Sequence, residues 1–174
     1  MSANPLLLID AQISASLRIP DTRPALKTAA AVLAHSADSW FWLAGLALIW
    51  LLGPAAWRAE ILLLMLSITA TAALVLLLKF VIQRPRPEGE WGQVYRGSDP
   101  HSFPSGHAAR ASLLALLAFL LGFPWIGFGL ILWTLLVILA RIALGVHYLL
   151  DMIVGALIGL ASAAASFLIY QSLF

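Results

Sequence analysis

The sequence His101-Ser-Phe-Pro-Ser-Gly-His107 marks the point where a polar segment ends and a long apolar segment begins. We expect its last four residues to stand at the start of an apolar helix. A helix start offers free backbone N–H groups and the positive end of a dipole, so anions bind there readily. Ser105 can cap this helix, Gly106 lets an anion approach the backbone, and His107 adds a proton donor. Alone, this tetrapeptide is a weak signal of an anion-binding site. The signal becomes stronger if other polar residues lie at the same end of the fold.

The composition places the chain in a lipid bilayer. Of its 174 residues, 62% are hydrophobic and only 10% are charged, and the mean hydropathy is +0.96. A soluble domain is about half apolar and a quarter charged. One helical bundle uses the whole length, so we expect a single domain over 1–174. The net charge of +2 is too small to indicate nucleic-acid binding, and the lack of cysteine excludes a disulfide or a thiolate nucleophile.

Uncharged apolar runs predict an all-α polytopic membrane helix bundle with about five transmembrane helices in residues 39–174. Each run is long enough to cross a bilayer, and Gly122 to Gly127 divides the longest run into a hairpin of two spans. Residues 1–38 are broken at Pro20 to Pro24 and are too short or too polar to span, so we expect two amphipathic helices at the membrane interface. The runs are Trp40–Trp57, Ile61–Leu78, Ala111–Ala140 (two spans) and Met152–Phe174.

The alternation of five spans brings four distant positions to one membrane face. They are Lys79 at the end of the second span, Ser105 at the start of the third, Arg141 at the end of the fourth and Asp151 at the start of the fifth. Ionisable residues at membrane depth are costly and are usually functional. We therefore expect the functional site at this face.

The spacing of the polar residues at this face suits phosphoryl chemistry. His147 and Asp151 are four residues apart, which places them on one helix face, where the carboxylate can fix the imidazole tautomer. Lys79 and Arg86 would be two turns apart if their helix continued that far. Cations and helix N–H groups can neutralise phosphoryl oxygens, while two imidazoles can serve as nucleophile and acid.

Three motifs in order resemble the signature of the type 2 phosphatidic acid phosphatase family, whose superfamily includes the vanadium haloperoxidases. They are Lys79-(six residues)-Arg86-Pro87, Pro104-Ser105-Gly106-His107 and Arg141-(five residues)-His147-(three residues)-Asp151. The resemblance covers roughly residues 40–170. It implies a metal-independent membrane hydrolase, with no cofactor, that acts on lipid phosphates or diphosphates through a phosphohistidine.

The same resemblance implies a role for each motif residue. His147 would be the nucleophile, Asp151 would orient it, and His107 would protonate the leaving oxygen. The phosphate would be held by Lys79, Arg86, Ser105, Gly106 and Arg141.

The sequence departs from the family pattern at two places. The third motif usually opens with Ser-Arg, but here Ala140 precedes Arg141, so one hydroxyl contact to phosphate is absent. The sequence also has a second Arg-Pro pair at Arg84, which we interpret as a candidate contact either to a lipid headgroup at the interface, like Arg96, or to a second phosphate. We interpret Arg110 as an ordinary interfacial anchor.

Two other functions remain open at this point: a lipid phosphotransferase with the same intermediate, and a lipid transporter or scramblase that holds headgroups without chemistry. The lipid could be undecaprenyl diphosphate, phosphatidylglycerophosphate, phosphatidate or lipid A, and we expect no obligate protein partner. Every Lys and Arg except Arg58 falls on the site face, which by the positive-inside rule predicts a cytoplasmic site. The family resemblance implies instead the extracytoplasmic face of a bacterial inner (plasma) membrane, which we favour.

Overall fold

The computed structural model describes residues 5–89, 91 and 99–173. Within these ranges the regular structure is helical, apart from one isolated bridge between Pro85 and His101. A short 3-10 turn, Ala55–Trp57, precedes the fourth of the seven α-helices within the described residues. The helices are α1 Pro5–Ser16, α2 Pro24–His35, α3 Ser39–Leu52, α4 Arg58–Ile82, α5 Gly106–Leu120, α6 Pro124–Ala143 and α7 Leu149–Leu173.

The predicted polytopic bundle is confirmed, and a helix lies in each predicted span. By length and composition, α4, α6 and α7 could each cross a membrane. Helices α2 and α3 qualify as one broken span, bent by 51°, and α5 is apolar but only 15 residues long. Helix α3 is shorter than the predicted run to Trp57, because Pro54 disfavours a helical backbone at Gly53.

The hairpin between the third and fourth spans lies where the sequence predicts it. Helix α5 ends at Leu120, and Gly122 adopts a φ of 85°, a left-handed conformation that glycine tolerates at little cost. Pro124 then begins α6, a position where its missing N–H is not needed. Helices α5 and α6 therefore run antiparallel.

Helix α5 forms the centre of the bundle and is buried along most of its length against α4, α6 and α7. Its contact with α7 is close because Gly155 and Gly159 face the backbone of α5. Ser112 Oγ donates a hydrogen bond of 2.9 Å to the Ala156 carbonyl across this contact. Small residues and hydroxyl bonds of this kind are typical of helix packing in membranes.

The two N-terminal helices pack on the same end of the bundle as the predicted site. Helix α1 buries the polar residues Asp10 and Ser14 against the start of α7 and exposes apolar residues such as Leu6 and Ile13. Its polar face is therefore turned inward, the reverse of a helix on a soluble protein. Helix α2 packs Ala30 and Ala34 against α6. Their position at the membrane interface stays a prediction.

The close contact between α5 and α7 predicts that Gly159→Ala destabilises the protein. The added Cβ would overlap the carbonyl oxygen of Ala109, and backbone cannot move aside as a flexible side chain can. We expect a loss of about 1–3 kcal/mol, as for other overpacked contacts. The midpoint of thermal unfolding in detergent, followed by tryptophan fluorescence, measures it.

Gly45→Ala in α3 is the matched control, because its Cβ would meet no atom within 4 Å. Alanine is favoured over glycine in a helix by about 0.5–1 kcal/mol, so this variant should unfold at or above the wild-type temperature. A Gly159→Ala variant as stable as Gly45→Ala would show that the two helices are not in close contact.

Candidate active site

Buried polar side chains from several elements converge at one end of the bundle. The Arg141 guanidinium lies between two imidazoles, with Nη1 3.3 Å from His107 Nε2 and Nη2 3.4 Å from His147 Nε2. Arg86 Nη1 lies 3.3 Å from the same nitrogen of His147. Lys79, Arg86, Arg141 and His147 are almost completely buried. The structure therefore brings together the cations and histidines that the alternation of spans places at one face.

Arg86 reaches this cluster from a loop and not from a helix. Helix α4 ends at Ile82, and Gln83 turns the chain with a φ of 53°. The helix therefore does not continue far enough to place Lys79 and Arg86 two turns apart, because Pro85 and Pro87 cannot continue it. Instead, Arg86 Nη1 donates 2.9 Å to the Val146 carbonyl, next to His147.

Asp99 occupies the space between two of the predicted phosphate-binding cations. Its carboxylate Oδ2 accepts 2.7 Å from Arg86 Nη2 and also pairs with Lys79 Nζ, while its carbonyl accepts 2.7 Å from Arg86 Nε. The Asp99 side chain remains 38% exposed, in contrast to the buried cations. The carboxylate thus lies where the two cations can hold an anion.

His147 lies in the turn between α6 and α7. Gly145, with a φ of 69°, permits this turn, and Val146 N donates 3.1 Å to the Arg141 carbonyl. Because α7 begins at Leu149, His147 and Asp151 do not share a helix face, and that interpretation of their spacing is wrong. The turn still brings them together, with Nδ1 of His147 3.5 Å from Oδ2 of Asp151.

The environment of His147 favours the neutral imidazole. Burial and the nearby guanidiniums of Arg141 and Arg86 lower the pKa of His147 well below its usual value. A neutral ring leaves Nε2, which faces both guanidiniums, with a free electron pair at physiological pH. The geometry therefore presents a nucleophilic nitrogen next to an anion-binding cluster.

The start of α5 is formed as the sequence predicts. Ser105 is the N-cap, and its Oγ accepts 3.4 Å from Ala108 N. Ser105 N donates 2.9 Å to the Asp151 carbonyl, which ties the second motif directly to the third. Gly106 opens the helix, and His107 follows in its first turn with its side chain 17% exposed.

His107 has a carboxylate partner that lies outside the three motifs. Its Nε2 is 2.7 Å from Oδ1 of Asp38, a residue between α2 and α3. The other oxygen of Asp38 is 3.1 Å from Nδ1 of His35. Asp38 is not predicted from the sequence, because nothing in the local pattern connects it to a histidine at the start of α5.

Arg84 and Arg110 point into the protein, unlike residues that contact only headgroups. Arg84 Nη1 donates 2.7 Å to Asp151 Oδ1, Nη2 donates 2.7 Å to Asp10 Oδ2, and the guanidinium lies 4.0 Å above the Tyr148 ring. Arg110 is 8% exposed and donates to the Ala37 carbonyl, so it is not an interfacial anchor. Arg96, the other candidate headgroup contact, lies outside the described residues.

Helix α1 supports the start of α7, the helix that carries Asp151. Asp10 Oδ1 accepts 3.0 Å from Leu150 N, and Ser14 Oγ accepts 2.9 Å from Leu149 N. Both groups satisfy backbone donors that a helix start leaves free. This role is not among the predictions from the sequence, although a lone carboxylate such as Asp10 in an apolar run is a signal for a buried partner.

Comparisons with known proteins give the class of this one. Residues 60–174, more than half of the chain, match the PAP2 superfamily. The chain belongs to that superfamily. The resemblance carried by the three motifs is therefore confirmed, and with it the predicted class of enzyme, a hydrolase of phosphoric esters.

Two solved structures share the fold. One is a transmembrane PAP2-type phosphatidylglycerolphosphate phosphatase from Bacillus subtilis, with 23% identity and a TM-score of 0.79 over 99% of this chain and 89% of the other. The second is LpxE from Aquifex aeolicus, with 26% identity and a TM-score of 0.68 over 91% and 93% of the two chains. The comparison with curated proteins gave no match.

The buried bridge through Arg84 predicts that Arg84→Ala lowers both stability and activity. Removing the guanidinium would leave Asp10 and Asp151 buried without their shared cation, and breaking such a pair costs about 3–5 kcal/mol. Thermal unfolding in detergent and phosphatase assays would measure the two losses. Exposed Arg23 provides the control, since Arg23→Ala should change neither.

A second substitution separates the bridge from other roles of Arg84. In Arg84→Ala, adding Asp10→Asn removes one of the two uncompensated carboxylates, so part of the lost stability should return. Strictly additive losses in the double variant would contradict the bridge.

Proposed function

We propose that this protein is an integral-membrane lipid phosphatase that hydrolyses a lipid phosphate or diphosphate through a phosphohistidine on His147, without a metal ion. One observation carries the proposal: Nε2 of His107 and Nε2 of His147 both lie within 3.4 Å of the same guanidinium, that of Arg141. A phosphoryl group bound to Arg141 would therefore be within reach of a nucleophile on one side and a proton donor on the other.

Phosphate binding in this proposal uses Lys79, Arg86 and Arg141 together with the start of α5 at Ser105 and Gly106. The Asp99 carboxylate on Lys79 and Arg86 supports this role, since it shows that the pair holds an anionic oxygen. A substrate phosphate would take over these contacts. Three cations and helix N–H groups can neutralise the charge on the equatorial oxygens in the transition state.

The reaction then follows in two steps. The Nε2 electron pair of His147 forms a bond to phosphorus as the P–O bond breaks, and the leaving oxygen takes that electron pair and a proton from His107. In the second step water attacks phosphorus, the P–N electron pair returns to His147, and His107 accepts a proton from the water. Asp151, held by Arg84 and by Tyr148 N, orients His147 throughout.

The substrate and the orientation are also part of the proposal. The superfamily membership and the similar phosphatidylglycerolphosphate phosphatase support a lipid phosphate as the substrate, and we place the site at the extracytoplasmic face of a bacterial inner membrane. Phosphate release by the purified protein from a panel of the four candidate lipids would identify the substrate. A transporter or scramblase would release none, and a phosphotransferase would pass the phosphoryl group to an acceptor lipid instead of releasing it as inorganic phosphate.

The proposed role of His147 as the nucleophile predicts that His147→Ala loses most of its phosphatase activity. Lipid phosphatase activity should fall by about 10²-fold or more, because no other imidazole has its Nε2 next to both guanidiniums. Asp151→Asn should lose much of the rate because the tautomer is no longer fixed. Turnover of the purified variants on the preferred lipid measures both effects.

His101→Ala is the matched control, since that imidazole contacts the Phe80 ring and is not one of the two imidazoles that face the Arg141 guanidinium. It should keep most of the activity. A His147→Ala variant that keeps more than about a tenth of the wild-type turnover would rule out a phosphohistidine at this position.

The mechanism also predicts how the activity responds to orthovanadate and to EDTA. Orthovanadate adopts the five-coordinate geometry of an in-line transfer, so it should compete with the lipid substrate. EDTA should have little effect, because three cations and two histidines, and no metal ion, carry the reaction. Initial rates against substrate concentration measure both responses. Complete inhibition by EDTA, reversed by a divalent cation, would contradict the proposed chemistry.

A further inference from the structure

The nitrogen of His107 that faces the active site is shared between two groups of opposite charge. Its Nε2 lies 2.7 Å from Asp38 Oδ1 and 3.3 Å from Arg141 Nη1. Asp38 belongs to none of the three motifs and precedes the matched residues 60–174. Its contact with the proposed proton donor is therefore a feature of this chain that the family assignment leaves unexplained.

The corner between α2 and α3 holds Asp38 in place by contacts that do not involve His107. Trp42 Nε1 donates 3.0 Å to the Ser36 carbonyl, and Trp133 Nε1 donates 2.9 Å to Ser36 Oγ. Arg110 donates to the Ala37 carbonyl from α5. Side chains from α3, α5 and α6 thus fix this corner, so Asp38 is presented to His107 by a rigid support.

The charges around His107 make Asp38 important for its protonation. Arg141 on α6 and Arg110 on α5 both disfavour a second positive charge nearby, and His147 faces the same guanidinium from the turn before α7. Among the described groups that contact His107, Asp38 supplies the negative charge that favours the imidazolium. A general acid at this position therefore depends on a carboxylate partner.

We propose that Asp38 is a positioning residue that keeps the transferable proton on Nε2 of His107, and that His35 supports Asp38 from the solvent side. The proposal rests on the proposed role of His107 as the acid. In the resting site the Nε2–H group donates to Asp38 Oδ1. His35, whose side chain is 48% exposed, contacts the second oxygen of the same carboxylate.

The proton changes its acceptor during the reaction. When the substrate binds, Nε2–H turns from Asp38 to the leaving oxygen and gives up the proton as the P–O electron pair moves to that oxygen. In the second step Nε2 takes a proton from the attacking water, and the new imidazolium again pairs with Asp38. Asp38 itself neither gains nor loses a proton over the cycle, so its effect is to stabilise the charged form of His107.

The leaving group distinguishes this role from a purely structural contact. An alkoxide is strongly basic and needs a proton as it leaves, an effect of roughly 10²–10⁴-fold, whereas p-nitrophenolate is stable without one. A contact that only holds the α2–α3 corner against α5 would affect both substrates alike. We therefore compare an alkyl lipid phosphate with p-nitrophenyl phosphate in single-turnover experiments, which isolate the first step from attack by water.

Asp38→Asn should slow the single-turnover hydrolysis of the alkyl lipid phosphate by about 10–100-fold, the usual effect of losing a partner that orients a histidine. It should slow the hydrolysis of p-nitrophenyl phosphate several-fold less. The alkaline limb of the kcat/KM profile for the alkyl substrate should move to lower pH, because the imidazolium loses its stabilising charge. His35→Gln should show a smaller loss with the same preference for the alkyl substrate.

Equal losses on both substrates, or an unchanged alkaline limb, would overturn the role of Asp38. If Asp38→Asn does not fold, the comparison on His35→Gln decides, and an equal effect on both substrates there also overturns it. His107→Ala serves as the reference. Should His107→Ala lose the two activities equally, the acid role of His107 fails, whereas selective loss there with no selectivity in Asp38→Asn rejects only Asp38.

Discussion

A charged group buried at the edge of a bilayer needs a partner, and this requirement governs the structure around the site. Arg84 is the clearest case, because its guanidinium forms ion pairs with both Asp10 on α1 and Asp151 on α7. The flat face of the same guanidinium lies over the Tyr148 ring. Neither carboxylate is more than 4% exposed. Removal of such a cation leaves two charges in a poorly polarisable environment, which costs far more than the loss of an exposed pair. Arg84 therefore adds a charged bridge between α1 and α7 to the hydrogen bonds that Asp10 and Ser14 accept from the start of α7.

The cations of the site are paired in the same way, but with carboxylates that come from elsewhere in the chain. Asp99 pairs with Lys79 and Arg86, and Asp38 pairs with His107. Asp99 is more exposed than Lys79 and Arg86, and Asp38 is more exposed than His107. A site rich in positive charge can thus remain folded between substrates, and the arriving phosphate exchanges one anionic partner for another.

The order of the helices and the way they begin and end could be predicted from the sequence, because both follow local patterns. The uncharged runs, the glycine and proline of the hairpin and the cap at Ser105 each depend on a few neighbouring residues. Asp10, Asp38 and Asp99 were missed, because each meets its partner only after distant segments pack together. The helical spacing of His147 and Asp151 was wrong for a related reason, because the turn at Gly145 delays the start of α7 until Leu149. Arg86 lies beyond the end of α4, as Pro85 and Pro87 suggest.

The contacts of helix α1 also bear on how much of the chain is needed to build the site. Residues 60–174 carry the three motifs, yet two backbone N–H groups at the start of α7 are capped by Asp10 and Ser14. A fragment limited to the matched residues would carry every residue that defines the superfamily but would lack half of the bridge through Arg84. The matched region is therefore smaller than the folded unit around Asp151, because Asp10 and Ser14 contribute contacts from outside it.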